Sequence, residues 1–374
     1  MTDNPFQYSR PVLPDALVGR QTSLHALLSD LTRLNGDSFA VIAGRRCGKS
    51  SYLRALDHQI RLLATDSSGG PAVLPVRVNL SAVRQDSPEC VLASLLHEIN
   101  RRAGKDVARR PPDAWPTPLD LASSWYRELL DKSTLETREF GDALGYVCDE
   151  LRTQSQGSAR VVLLLDGLDA VLDKTWTETF FGQLRSVLQE SETFESLRLV
   201  LAGSGSFLDR LGKRGSPLEN AVKVEYLDSI DSDSIRQLTA SVPGIVEDTQ
   251  AEVCRLSGGN AFLAQYLLHH AWTGTAGESS KWTVETIDRA AVRFFHEQAA
   301  DIEAWVQAIG LTGVASLIAL AESDGWLDEP TLRQRAGQTA LDLKRGLVSL
   351  CYHGFVQHDG HWEQYRRTGD LMSI

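Results

Sequence analysis

No disulfide framework is written into this chain of 374 residues. Its five cysteines (Cys47, Cys90, Cys148, Cys254, Cys351) are odd in number, widely spaced and never form a C-x-x-C pair. A cystine-stapled secreted scaffold and a cysteine zinc ribbon are therefore excluded, and the thiols read as free in a reducing compartment. Only Cys351 has histidines close by (His353, His358, His361), and without a second cysteine these read as turn residues and not as a metal site. Basic charge is scarce as well. With 38 Lys and Arg against 49 Asp and Glu the net charge is −11, which argues against broad affinity for nucleic acid or an anionic membrane while leaving room for a local basic patch. The start, Met1-Thr2-Asp3-Asn4-Pro5, lacks the basic-then-apolar pattern of a signal segment, and no apolar run approaches bilayer length. The expectation is a cytoplasmic protein with no membrane partner. No internal repeat of about 20 to 50 residues occurs, which excludes solenoids and propellers.

What is present begins with Ala43-Gly44-Arg45-Arg46-Cys47-Gly48-Lys49-Ser50-Ser51. The pattern [AG]-x-x-x-x-G-K-[ST] is that of a loop whose backbone N–H groups turn toward phosphate oxygens. In it Lys49 reaches the β and γ phosphates of a nucleoside triphosphate and the Ser50 hydroxyl helps coordinate Mg²⁺. The apolar run Phe39-Ala40-Val41-Ile42 before it reads as a buried strand, and Ser51-Tyr52-Leu53-Arg54-Ala55-Leu56 after it as the start of a helix. Strand, loop and helix stand in the order that a phosphate site requires, with the helix N-terminus adding its dipole.

Strands are expected at residues 38 to 43, 72 to 79, 160 to 166, 197 to 202 and about 222 to 227, separated by helical or loop material. That alternation predicts a parallel α/β sheet. Pro75 inside the second run makes it an edge strand. Helical patterns cover about 87 to 104, 119 to 131 and 136 to 153, and the proline-rich stretch Arg109 to Pro116, with Trp115, reads as a surface loop. After residue 228 the sequence turns helical. Ser257-Gly258-Gly259-Asn260 breaks that region, the glycines ending one helix and Asn260 capping the next. Further helices and two β-like runs, 354–358 and 361–365, joined across Asp359-Gly360, suggest a winged helix. The expected domains are a P-loop ATPase domain at 1–227, a helical lid at 228–298 and a winged-helix-like domain at 299–374.

Three further places bear on the chemistry. Val161 to Leu165 is a continuous apolar run closed by Asp166, as expected of a buried strand whose terminal carboxylate binds Mg²⁺ through water. Many ATPases carry a glutamate next, to orient the attacking water; here the residue is Gly167. Asp169 is the nearest substitute, or else a helix N-cap. The fourth strand runs into Gly203-Ser204-Gly205-Ser206, where Ser204 or Ser206 senses the γ phosphate or forms an ordinary turn. Near the start, Val18, Gly19 and Arg20 stand where an adenine ring would pack, with Gly19 allowing close backbone approach.

Together these residues resemble the STAND class of P-loop ATPases, related to the AAA+ and origin-recognition ATPases. Asn4-Pro5-Phe6 with Val18-Gly19-Arg20 is similar to that class's adenine-side motif, with Gln21 where a glutamate is usual. Arg45-Arg46-Cys47-Gly48-Lys49-Ser50-Ser51 is similar to its R-R-x-G-K-[ST]-S loop, and Asp166-Gly167-Leu168-Asp169 to a D-G-x-D form of its NACHT-like members. Ser216-Pro217-Leu218 and the lid stretch Ser257 to Phe262 also resemble it, although Ala261 replaces a proline of the lid motif. Arg214 stands in a basic turn or as a finger toward a neighbouring subunit.

The resemblance implies an α/β P-loop NTPase of the AAA+ kind that binds ATP or ADP with Mg²⁺. Its nucleotide residues would be Val18, Gly19, Arg20 and Gly44 through Ser51, with Lys49, Asp166, Asp169 and Ser204 acting in hydrolysis. It further implies a slow regulatory switch in signalling or antiviral defence, with a separate effector protein and a homo-oligomeric state as the partners to expect. Two alternatives stand beside it. One is a DNA-associated ATPase like origin-binding or transposition regulators, disfavoured by ten Asp and Glu against six Lys and Arg in residues 301–374. The other is a nucleotide-binding scaffold that does not turn over.

Overall fold

The computed structural model describes residues 3–33, 35–66, 72–105, 117–155, 158–189, 196–240, 242, 245–275, 277–278, 282–323, 325–359 and 363–371. Trp115 with the rest of the 109–116 loop, and Gly360 and His361 at the hairpin tip, lie outside them. The described chain forms two compact units. One comprises residues 22–42 and 49–225; the other comprises 1–21, 43–48 and 226–374.

The first unit holds α1 (Gln21–Thr32), β1 (Phe39–Ile42), α2 (Lys49–Asp66), β2 (Ala72–Asn79), α3 (Pro88–Ala103), α4 (Ser124–Leu130), α5 (Thr137–Ser155), β3 (Ala159–Asp166), α6 (Thr177–Gln189), β4 (Leu197–Gly203), α7 (Gly205–Leu211) and β5 (Lys223–Tyr226). Its sheet has the order β2-β3-β4-β1-β5, with β2, β3, β4 and β1 paired in parallel. Every residue of β1, β3 and β4 is buried, which is why these strands are continuous apolar runs without alternation. Pro75 lies on β2, an edge strand, where a missing N–H costs no ladder bond on the open side. The helices carry conventional ends. On α3, Ser87 caps the Cys90 N–H, Pro88 opens the first turn, and Arg101 and Arg102 sit in the last, a charge order that suits the helix dipole.

The second unit continues with α8 (Ser232–Ala240), α9 (Glu247–Ser257), α10 (Ala261–Gly274), α11 (Val284–Glu297), α12 (Ala299–Ala321), β6 (Leu327–Asp328), α13 (Glu329–Ala336), α14 (Ala340–Tyr352), β7 (Val356–Asp359) and β8 (Gln364–Arg367). Gly258 ends α9 in the left-handed region, and the Asn260 side chain accepts from the Phe262 and Leu263 N–H groups to open α10. The order helix, short strand, two helices and a β7-β8 hairpin, closed by β6 on β8, is a winged helix. The hairpin differs from expectation in its register. Asp359 pairs with Gln364, so Asp359 is a strand residue, and the turn is longer than the two residues an Asp-Gly pair suggests.

Helix α12 also departs from expectation, since it is long and apolar enough by length and composition to cross a membrane. Gly310 (φ 68°, ψ 175°) breaks it in the middle, and neither half reaches the roughly 20 residues that a span needs. Its first half opens on the charged Asp301, and where it crosses α14 a Cβ on Gly346 would lie 2.8 Å from Thr312 O.

Candidate functional site

The phosphate loop leaves the buried strand β1 and enters α2 at Lys49. Two of its residues are left-handed, Arg46 (φ 66°) and Gly48 (φ 85°). Left-handed residues at this spacing are those with which a backbone turns neighbouring N–H groups to one side, as anion-binding loops do. Lys49, Ser50 and Ser51 form the first turn of α2 and are partly exposed. Backbone and residue types together fit a nucleotide's phosphates.

Residues 43–48 pack within the second unit. Gly44 donates its N–H to Tyr352 O at 2.7 Å, and a Cβ on Gly44 would lie 2.4 Å from the His353 ring, so only glycine fits there. The Cys47 thiol is buried and donates to His353 O at 3.4 Å. Arg45 and Arg46 both reach the buried carboxylate of Asp301. From the expected adenine side, Arg20 is 7% exposed and donates to Asp228 O at 3.1 Å. Its Nη1 lies 2.8 Å from where a Cβ on Gly48 would be. Gly19 (φ 73°) packs so closely on Ser234 and Ile230 that a Cβ would come within 2.5 Å of the Ser234 hydroxyl. Val18 packs against the core of this unit. Gln21 donates to Leu17 O at 2.9 Å while accepting from Arg20 N at 3.0 Å; a glutamate cannot make the first of these bonds. Asn4 anchors the N-terminal segment on α10 by donating to His269 O at 3.1 Å, and Phe6 is buried between Trp272 and Trp282.

In the sheet unit Asp166 closes β3, 7% exposed, and its Oδ1 accepts the Gly167 N–H at 2.9 Å. A buried carboxylate at the C-terminal edge of a parallel sheet suits a divalent cation. Gly167 has φ 70°, and a Cβ there would lie 2.9 Å from Asn79 Oδ1 and 3.0 Å from Ser81 Oγ. The missing glutamate thus has a physical setting: a left-handed backbone crowded by the Asn79 and Ser81 side chains favours glycine at this position. Replacing it, Gly167→Glu, should lower stability by about 1 to 3 kcal/mol and add no ATP turnover. A chemical melt and a phosphate-release assay check this, and a variant that is both stable and faster would refute the steric argument.

Asp169 sits inside a short 3₁₀ turn and is not its N-cap, which is Gly167. Its Oδ1 accepts from the Ser204 hydroxyl at 2.6 Å and from the Ser204 N–H at 3.1 Å. The same hydroxyl accepts from Ser206 N at 3.3 Å and caps α7. Two predicted residues are therefore joined in one hydrogen-bonded pair, while Ser206 is exposed beside them. Arg214 is exposed in its turn. His353 donates from Nδ1 to Ser349 O at 2.8 Å and stacks on Phe355, whereas His358 stacks on Tyr365. Among the described residues no three His, Cys, Asp or Glu converge as a metal cluster. Sequence reasoning missed Asp301, Trp305, Tyr352 and Asn79. Only Asn79 carried a local signal, a polar residue closing an apolar strand as Asp166 does.

One strand, β4, separates the phosphate-loop strand β1 from the acid-bearing β3, an arrangement of the α/β P-loop NTPase fold. A solved structure agrees at the level of fold. The chain is similar to the Aeropyrum pernix ORC2 protein in its ADP form, with TM-score 0.51 and 15% identity over 96% of this chain and 92% of that one. It also aligns with the Aeropyrum pernix ORC1 protein in complex with DNA (TM-score 0.49, 13% identity, 96% and 91% of the two chains). A third alignment is with Drosophila ORC bound to DNA (TM-score 0.47, 12% identity, 96% and 86%). No protein-family model matches the sequence, and no curated protein is similar to it.

Proposed function

We propose that this chain is a nucleotide-dependent regulatory ATPase, a switch with slow turnover. The observation that carries this reading is the loop Ala43–Ser51, with left-handed residues at Arg46 and Gly48 and Lys49 opening α2. Lys49 and the loop N–H groups would bind the phosphates of ATP or ADP, and Ser50 and Asp166 would hold Mg²⁺. Bound Mg²⁺ would supply charge neutralisation on the phosphates. The Asp169–Ser204 pair stands in for the absent glutamate, and a carboxylate already engaged by a hydroxyl is a weak general base. Slow hydrolysis follows from that. The ORC2 neighbour in its ADP form supports nucleotide binding through a shared fold.

Duplex DNA is better supported than a separate effector as the thing this switch controls. The net negative charge of the winged-helix segment counted against DNA, but the surface distribution counts for it. Lys344 and Arg345 are exposed on α14, on the same face as Leu341 and Val348, which are 59% and 41% exposed. On the wing, Arg366 lies 4.6 Å over Trp326 and donates to Gln357. Meanwhile Asp301 is neutralised by loop arginines and Asp328 caps α13. The STAND-type reading, with signalling or antiviral output through an effector in trans, rests on the R-R-x-G-K-S-S loop and the D-G-x-D turn alone.

One titration series tests both levels. ATP with Mg²⁺ added to the full chain in a calorimeter should bind in the micromolar range, and no heat at any concentration would end the nucleotide reading. A labelled duplex should bind in a salt-dependent manner, and Lys344→Glu with Arg345→Glu should weaken it at least tenfold, about 1.4 kcal/mol. A duplex that does not bind at low salt returns the choice to an effector protein.

A further inference from the structure

Asp301 lies in the first turn of α12 and is 5% exposed. Its Oδ1 accepts from Arg45 Nε at 2.9 Å, and its Oδ2 lies 2.9 Å from Arg46 Nη2 and 3.1 Å from Arg46 Nε. A single buried carboxylate therefore holds both arginines of the phosphate loop, within one structural unit. Its surroundings reinforce the hold. Trp305, one turn along α12, donates its indole N–H to Arg45 O at 3.1 Å, and the Arg46 guanidinium sits 4.9 Å above the Phe262 ring. Arg46 keeps a left-handed backbone, φ 66°, which a non-glycine residue adopts only when its contacts over-determine it.

A phosphate group and a carboxylate are rival acceptors for the same guanidinium forks. Arg45 and Arg46 are 60% and 33% exposed, so an incoming anion can reach them without unfolding anything. We infer that Asp301 is a competitive latch: it and the phosphates of ATP compete for the loop arginines, and its displacement loosens the first turn of α12. This rests on the reading of Ala43–Ser51 as a phosphate loop. Linkage sets the sign, because whatever holds Asp301 on the arginines is subtracted from nucleotide affinity, and nucleotide weakens that hold by the same factor. Had Asp301 served instead to orient the arginines toward phosphate, its removal would have the opposite effect.

The test is calorimetric titration of ATP with Mg²⁺ into the full chain, comparing wild type, Asp301→Asn and Asp301→Glu. Asp301→Asn keeps the shape and removes the charge, and it should bind ATP about tenfold more tightly; Asp301→Glu should stay near wild type. Unchanged or weaker binding by Asp301→Asn overturns the latch and leaves the phosphate site standing if the wild type binds. No binding by any of the three overturns both. Because Asp301→Asn strips two arginines of their partner and can misfold, hydrogen exchange on the unaltered chain gives a second reading. Peptides covering residues 299–305 should exchange faster with ATP than without, and equal or slower exchange overturns the latch.

Discussion

Lys49→Ala should abolish nucleotide binding at concentrations that saturate the wild type. The lysine opens α2, where the left-handed Gly48 hands the chain from loop to helix, and in the proposed reading its ammonium would neutralise the nucleotide's phosphates. A charge-assisted bond contributes about 1.5 to 3 kcal/mol, and removing the charge also leaves the phosphates less neutralised. The expected loss is at least 100-fold in ATP affinity, about 2.7 kcal/mol, with ATP turnover falling below detection. Lys49 is only partly buried, so the circular dichroism spectrum and melting point should barely move. Lys213→Ala, in an exposed turn, serves as the control that leaves affinity intact. Equal affinities in Lys49→Ala and wild type would mean that the loop is a plain strand-to-helix turn.

Arg102→Ala should cost about 3 to 5 kcal/mol of folding stability. Arg102 and Asp57 are each 2% exposed and meet at 3.0 Å, joining α3 to α2. The Arg102 guanidinium also donates to Arg77 O and to Glu98, while Asp57 takes a second bond from Arg61 at 3.0 Å. Truncation takes a charged partner from a buried carboxylate and a donor from the Arg77 carbonyl. Urea midpoints at constant slope give the number, and a loss under about 1 kcal/mol would show that the pair is wetter than its burial suggests. The same cluster carries a pH signature. Burial pushes the Glu98 carboxyl up, but the hydrogen bond and charge of Arg101, with the charge of Arg102, outweigh it and hold it below the usual carboxylate range. A carboxyl depressed by folding stabilises the native state above its unfolded titration. That contribution disappears as pH falls through the folded one.

Much of the fold was legible because its signals are local. Val161 to Asp166 could be read as a buried strand ending in an acid because every residue of it is covered by neighbours above, below and beside. Pro75 marked an edge, since no central strand tolerates a lost donor. Gly258 and Asn260 announced a helix end and a helix start through backbone preferences that need no partner. The hairpin register was not legible, because Asp-Gly chemistry predicts a tight turn and the pairing of Asp359 with Gln364 is set by β6 and β8. Nor was the break in α12 at Gly310, since Gly313 three residues on stays helical and the sequence alone does not tell the two apart.

The phosphate loop illustrates the division most directly. By itself, the sequence determined the loop, the helix that follows it and the acid of the third strand, since each depends on residue type at fixed spacing along the backbone. It also determined that no glutamate follows Asp166. Only the tertiary structure decided why none fits there, with Asn79 and Ser81 filling the space, and that Asp169 is bound to Ser204. The same is true of Arg45 and Arg46, whose shared partner Asp301 lies about 255 residues away. A charge pair across such a distance leaves no periodicity to read, because its energy depends on separation in space and on burial, which the folded chain alone supplies.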